Sequence, residues 1–520
     1  MNKYFEALEL HKILEMLAEK ASNEDVKQII LETEPCTDFD KVCIEIDKTD
    51  EALRQSIKYG CPSFSRYKNI KDSVNRAKSG SMLTLREILD ISKMLYQIRI
   101  LSDWYKEADE FETELNYLFS NLYPNKYFED KIKYTIIDDD ELADTASSEL
   151  ASIRRKIVQS GLKIRESLDK MIKSTTTQKY LQENIVTIRD GRYVVPVKSE
   201  HKNDISGLVH DVSGSGSTLF IEPIQVVEAN NEIKVLKARE HDEIERIIKD
   251  LSEEIASFGD SLIESYNNCV ELNVYFAKSE FALSINANKP IIVSDGKIEL
   301  KKARHPLISK DTVVPIDVTL GIDFDTLIIT GPNTGGKTVL LKTVGLLSAM
   351  AMCGMLIPAN DGSIISIFDK ILVDIGDQQS IEQNLSTFSS HMNRVIEILE
   401  CVDSKSLVLL DELGSGTDPI EGAALAVSII ETLKRKGAKT VLTTHYQELK
   451  MYALDTQKVE NASCEFDIKT LKPTYRIIIG SPGKSNAFAI SSKLGLNNDI
   501  IDYAKSLLNS ENKRFDDIME

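Results

Sequence analysis

Three stretches in the C-terminal half of this 520-residue chain carry residue types whose spacing could do phosphate chemistry. The first runs Gly331, Pro332, Asn333, Thr334, Gly335, Gly336, Lys337, Thr338, with Val339 next, and fits GxxxxGK[ST]. It follows an apolar run, TLIIT at 326–330, and opens a helical pattern, which is the context such a loop requires. Glycines there let backbone N–H groups curl round a β-phosphate. Lys337 would supply a point charge to the β- and γ-phosphates, and Thr338 a hydroxyl to Mg²⁺. The new helix would turn its positive end toward the anion. The second stretch, residues 407–412, is an apolar strand ending in Asp411 and Glu412, 74 residues past Lys337. Asp411 is placed to hold Mg²⁺ through its water shell and Glu412 to activate an attacking water. The third is Thr443-Thr444-His445, again a strand end. His445 could sense the γ-phosphate, although a lone histidine is more often structural.

Other motifs divide differently. Asp374-Ile-Gly-Asp377 leads into Leu385-Ser386-Thr387, small polar residues that could bind phosphate or merely cap a helix, Ser386 being a good N-cap. Periodicity does not choose between the two. Ser213-Gly-Ser-Gly216-Ser resembles a nucleotide loop at first sight, but it lacks the third glycine and no long helix follows. It reads as a tight turn between strands.

The elements that must position these residues fall into three textures. Residues 1–135 are helical in period, with an apolar stripe at Leu8, Ile13, Leu14 and Leu17. A long charged helix starts near Ala146. A small β element follows, with a hairpin turning at Asp190-Gly191, and helix returns over 226–285. From about 296, apolar runs at 326–330, 370–375, 406–410 and 440–444 alternate with helices, as in a largely parallel α/β sheet. The chain is acidic, with formal net charge −19, which argues against an all-over nucleic-acid binder. Yet residues 151–203 hold twelve basic and five acidic side chains, net +7. That patch, with Arg154, Arg155, Lys156, Arg189, Arg192 and Lys198, reads equally as a solvated helix face or as a phosphate-backbone contact. Seven cysteines without a CxxC pair speak against a zinc site or a disulfide framework, and for a reduced cytoplasmic compartment. The amphipathic N-terminus carries no apolar signal core. The longest uncharged run, 343–360, contains Gly, Ser, Pro and Asn and suits a buried helix and loop, so no membrane span is expected.

Taken together, GPNTGGKT, DIGDQQS, STF, DELGSGTDP and TTH, with ARHP at 303–306 and the tail motif GSPGKSNAFAI, resemble the MutS family of ATPases. Upstream, DGRYVVPVKSE and VHDVSGSGSTLFIEP are similar to the bacterial paralogue of that family tied to recombination suppression and ribosome rescue. The resemblance implies a multidomain fold: all-α core and lever helices with a small β clamp insertion, then an α/β P-loop NTPase domain of the ABC type. It divides the chain into a helical core (1–135), lever helices with the clamp (136–240), returning lever helices (241–295), a dimerising ATPase (296–510) and a charged tail (511–520). It implies ATP and Mg²⁺ as ligands, with Asn333, Gly336, Lys337, Thr338 and Asp411 in contact. Glu412 would be the base, His445 the sensor, and Ser386 would reach across a homodimer to the partner's nucleotide. Val314 and Ile316 are implied candidates for packing on adenine.

The expected activity is therefore ATP hydrolysis that opens and closes a homodimeric clamp on branched or structured DNA, or on ribosomes with their RNA. Two alternatives are a mismatch-repair initiator and a scaffold that binds nucleotide with little hydrolysis. The family's Phe-x-Glu wedge occurs only as Phe220-Ile221-Glu222, within the clamp-like element, so mismatch reading by that device is not expected. No KOW or Smr nuclease module is recognisable, so endonuclease activity is not expected either.

Overall fold

The computed structural model describes residues 2–65, 67–108, 113–331, 335–376, 387–467, 472–483, 488, 491–492 and 495–507. Among them are sixteen α-helices and three β-sheets. The backbone divides into two compact units. One comprises 67–103 and 121–269, the other 1–66, 104–120 and 270–520. This is a different cut through the chain from the boundaries at 135, 240 and 295 suggested by motif resemblance. Among the described residues, no helix is long and apolar enough to cross a membrane, and none of the seven cysteines is bonded to another.

In the unit holding 121–269, two long helices, Ser148–Lys173 and Ile224–Ser257, pack along each other. Ser147 caps the first. Its hydroxyl accepts from Leu150 N (2.9 Å) and donates to Glu243 on the second helix (2.7 Å). Between the helices lies an antiparallel sheet of β1 (Thr187–Arg189), β2 (Arg192–Lys198), β3 (Gly207–Val212) and β4 (Thr218–Pro223), in the order β1-β2-β4-β3. The β1–β2 turn is Asp190-Gly191, both at positive φ (47° and 75°), as a two-residue primed turn requires. Ser213–Ser217 forms the turn between β3 and β4. Ile164 and Leu168 from the first helix meet Val195, Val197, Leu219 and Ile221 from the sheet in one buried cluster.

The other unit contains two sheets. The smaller has β5 (Ile291–Val293), β6 (Ile298–Ala303), β7 (Ile316–Leu320) and β9 (Ile364–Ser366), in the order β5-β9-β6-β7. The larger has β8 (Thr326–Thr330), β10 (Lys370–Asp374), β11 (Ser406–Leu410), β12 (Lys439–Thr443), β13 (Val459–Asp467) and β14 (Lys472–Ile479), in the order β10-β11-β12-β8-β13-β14. All of its pairings are parallel except β13–β14. β8 and β11 are buried at every position, which explains their continuous apolar runs: helices cover both faces.

The helix that follows β8, Lys337–Met352, is almost wholly buried. The first residues of the chain pack against it. A Cβ added at Gly345 would meet Leu409 at 2.5 Å and Leu8 at 2.7 Å, so only glycine admits both leucines. Glu9, at φ 62°, bonds Lys342 on the same helix (2.9 Å). The flanking lysines, Lys12 and Lys342, pull the Glu9 carboxyl down to about 2.

Candidate nucleotide site

The strand order brings the three chemical motifs together. β8, β12 and β11 are neighbours and run in parallel, so Gly331, Thr443-Thr444-His445 and Asp411-Glu412 emerge side by side at their carboxyl ends. In open α/β sheets this edge is where ligands bind.

Lys337 is 2% exposed. Its Nζ donates to the Gly331 carbonyl (3.0 Å) and lies 2.7 Å from His445 Nε2. Burial pulls the ammonium down to about 8, against the opposing pull of Glu412 and Asp411. Burial, reinforced by the Lys337 charge, also lowers the His445 pKa, so the ring is neutral and Nε2 accepts from the lysine. Thr338 Oγ1 donates to Asp411 Oδ2 (2.7 Å), and Asp411 Oδ1 accepts from Thr443. Glu412 sits at φ 49°, a left-handed conformation that costs a non-glycine residue about 1–2 kcal/mol. Its N–H is held by Thr443 Oγ1 (2.8 Å), and its carboxylate lies 3.7 Å from His445 Nε2. Thr443 thus grips both acidic residues, a role invisible in the apolar strand pattern.

Thr338 and Asp411 converge at one point beside a buried cation. Among the described residues, no cluster of three or more His, Cys, Asp or Glu could enclose a metal. A hydroxyl, one carboxylate, water and substrate phosphates suit Mg²⁺, which retains water and seldom takes an all-protein cage. Gly336, at φ 86°, begins the buried helix. The Tyr475 ring lies against it, since an added Cβ would meet Cδ1 at 3.0 Å.

Next to Gly335 and Gly336 opens a cavity of about 330 Å³, lined mainly by apolar side chains. Val314 and Ile316 both line it. So do His305, within ARHP, and Cys464, Tyr475 and Ile477, to none of which motif reading gave a role here. Cys464 and Ile477 pair across β13 and β14, more than 120 residues beyond the glycine-rich loop, so local spacing carries no sign of them. Burial lowers His305 to about 4, leaving it neutral, and raises the Cys464 thiol to about 11. The size and apolar lining suit a base or similar flat ring.

Asp374, at the end of β10 and 3% exposed at its side chain, binds Arg394 (2.5 Å) and His391 (2.9 Å) from helix Thr387–Cys401. Neither partner was singled out by motif. Pro332, Asn333, Thr334 and Ser386 lie outside the described residues, as does the charged tail 511–520.

The basic candidates of the β element are not equivalent. Arg154 is paired with Asp144 (2.6 Å) and Glu240 (2.8 Å). Arg192 spans both oxygens of fully buried Glu222 (2.8 Å each) and reaches Asn231. Arg189 pairs with Asp211 (3.2 Å) and stacks over Phe220. Lys198 donates to the Lys179 carbonyl (3.2 Å). Arg155 and Lys156 are exposed and form no ion pair among the described residues, and the same holds for Lys163 and Arg165 on the same helix.

Comparison with known proteins agrees with this geometry. Residues 327–511 match the family model for MutS domain V. Over 519 residues the chain is 49% identical to a protein of Ruminiclostridium cellulolyticum named Endonuclease MutS2, covering 99% of this chain and 66% of that protein. Proteins of the same name from Acetivibrio thermocellus (48%, covering 99% and 66%) and Lachnospira eligens (47%, covering 99% and 65%) are similar. The chain belongs to the MutS family.

Within the MutS family, then, this chain spans about 66% of the length of these relatives. Their name corrects one expectation. Endonuclease activity was set aside because no nuclease module is recognisable in these 520 residues. Relatives nearly half identical across the whole chain are named endonucleases, so that exclusion does not stand.

Proposed function

We propose that the chain is the core of a MutS-type, Mg²⁺-dependent ATPase that acts as a homodimeric clamp on nucleic acid. The observation that carries this reading is the convergence of Lys337, Thr338, Asp411, Glu412 and His445 at three adjacent strand ends. In it, Lys337 neutralises the β- and γ-phosphates, and its bond to His445 keeps the imidazole neutral and aimed at the phosphate end. Thr338 and Asp411 would hold Mg²⁺, which when bound draws charge from the phosphate oxygens. Glu412 takes the proton of the attacking water, and its strained backbone holds the carboxylate forward. The apolar cavity bounded by Val314, Ile316 and Tyr475 takes the adenine. The family pattern supports Gly331, Pro332, Asn333, Thr334, Gly335, Gly336 and Val339 in nucleotide contact, and Ser386 acting on the partner subunit's nucleotide.

For nucleic acid, exposed Arg155 and Lys156 on the long helix are the foremost contacts. Arg189 and Arg192 serve chiefly to hold the β element in shape, and Arg154 to tie the two long helices together. Such contacts read backbone shape rather than base sequence, so branched DNA and ribosomal RNA both remain targets. Domain roles follow the same reading: helical core, lever helices with a β clamp, and a dimerising ATPase. Strand cleavage, which the relatives' name carries, enters as an activity of the whole protein.

The test is steady-state ATP turnover, alone and with perfect duplex, branched DNA or ribosomes, with strand cleavage scored in parallel. Stimulation by one of these targets names the class. Equal turnover by wild type and Glu412→Gln would leave a nucleotide-binding scaffold in place of an ATPase.

A further inference from the structure

Behind the phosphate loop lies a second buried lysine that the reaction scheme above does not use. Lys450, on helix Gln447–Asp455 just past His445, is 8% exposed. Its Nζ donates to the carbonyl of Gly483 (2.7 Å), in the segment that follows β14. Gly483 N in turn donates to Thr330 Oγ1 (2.8 Å), and that hydroxyl donates to Ala462 O on β13 (3.2 Å). Thr330 is the last residue of β8. The next residue, Gly331, supplies the carbonyl that holds Lys337. The lysine's own backbone is fixed as well, because its carbonyl accepts from Asn461 Nδ2 (3.0 Å), a fully buried side chain.

Contact here is tight. A Cβ on Gly483 would meet Thr330 Oγ1 at 3.2 Å, Ser463 Cβ at 3.3 Å and Gly331 N at 3.4 Å. The segment therefore lies flush on the root of the loop, with room for hydrogen at that position.

We propose that Lys450 is a positioning residue for the nucleotide site: it pins the Ser481–Gly483 segment onto the root of the phosphate loop and makes the grip on a polyphosphate depend on that segment. This deepens the ATPase reading and rests on it. The two act through one chain of bonds, Lys450 to Gly483 to Thr330, whose end is the strand residue immediately before the loop. Losing the pin loosens binding before it affects chemistry, because Glu412 and Asp411 are held by Thr443, on a different strand.

The experiment compares wild type with Lys450→Met, Lys450→Arg and Gly483→Ala in ATP turnover and in equilibrium binding of ADP. It adds backbone hydrogen exchange over 481–483 without nucleotide. We expect Lys450→Met to raise KM for ATP and Kd for ADP about tenfold with kcat within twofold, the pattern of lost ground-state binding. Lys450→Arg should recover most of the affinity. Gly483→Ala, which must push the segment off Thr330 and Gly331 by a few tenths of an ångström, should weaken binding in the same direction. The Gly483 amide should exchange faster in Lys450→Met. Unchanged ADP affinity in both Lys450→Met and Gly483→Ala would overturn the proposal, as would loss confined to kcat. Should wild type itself bind no ADP and Lys337→Met change nothing, the ATPase reading fails; exchange at Gly483 would still report whether Lys450 pins the segment.

Discussion

The two charged regions of this molecule, the phosphate loop and the β element, use basic residues in opposite ways. Around the loop, cations are buried beside one another: Lys337 is drawn down to about 8, Lys450 adds to the effect, and His445 is kept neutral. The Lys337 ammonium contacts the Gly331 carbonyl and the His445 ring, and the Glu412 carboxylate lies 3.7 Å from that imidazole. On the long helix and the β element, most of the candidate arginines are already matched. Arg192 rests on Glu222, Arg154 on Asp144 and Glu240, and Arg189 on Asp211. A buried ammonium whose pKa is lowered beside an imidazole differs in kind from an arginine matched by a carboxylate of its own chain, which is part of the scaffold. Net charge over a segment does not distinguish the two.

The contrast can be broken most forcefully at Glu412. Its replacement by Gln should lower ATP turnover by about 10²- to 10⁴-fold while leaving ADP binding intact, as expected of a lost general base. Single-turnover kinetics with a binding titration checks it. Next comes the scaffold side. Arg192→Ala leaves the fully buried Glu222 carboxylate without its bidentate cation, with His210 still against it, and should destabilise the β element by about 1–3 kcal/mol. Denaturant melts of wild type and variant measure this, and little change would mean that Arg192 is spare charge after all. A third test uses pH. On the proposed reading the cationic form of Lys337 meets the phosphates, and burial draws that ammonium down to about 8. ATP affinity should hold below pH 8 and then fall toward about tenfold per unit above it, with proton uptake on binding. Calorimetry in buffers of different ionisation enthalpy reads that uptake. The smallest effect is expected at the exposed pair. Arg155→Glu with Lys156→Glu should weaken nucleic-acid binding several-fold at moderate salt and reduce the slope of log K against log salt by about 2. The same change at Arg154 should act mainly on stability.

Much of the nucleotide site was legible because its parts are local. A glycine-rich turn, an acidic strand end and a His strand end each fit within eight residues, and alternation of strands with helices implied the parallel sheet that gathers them. The long helix, the Asp190-Gly191 hairpin and the Ser213–Ser217 turn were legible for the same reason. What escaped depends on residues far apart in the chain. Tyr475 and Cys464 reach the cavity only because β13 and β14 add to the far side of β8. The Thr443 hydroxyl binds Asp411 because β11 and β12 are neighbours in register. Asp374 finds His391 and Arg394 on a helix that follows it. The pairing of Arg154 with Glu240, 86 residues on, and of Arg192 with Glu222 could not be read from a charge count, which registers carboxylates without saying which cation each one faces.

The notch at Gly345 has a consequence for how the chain is made. Leu8 is synthesised some 400 residues before Leu409, which completes the surface that receives it. At about 5–20 residues per second, the N-terminal helices wait for tens of seconds with an apolar stripe uncovered. Contacts so distant in sequence also slow the search for the native state. Leu8 and its neighbours are therefore made early and yet form a late-closing wall of the unit that holds the candidate nucleotide site.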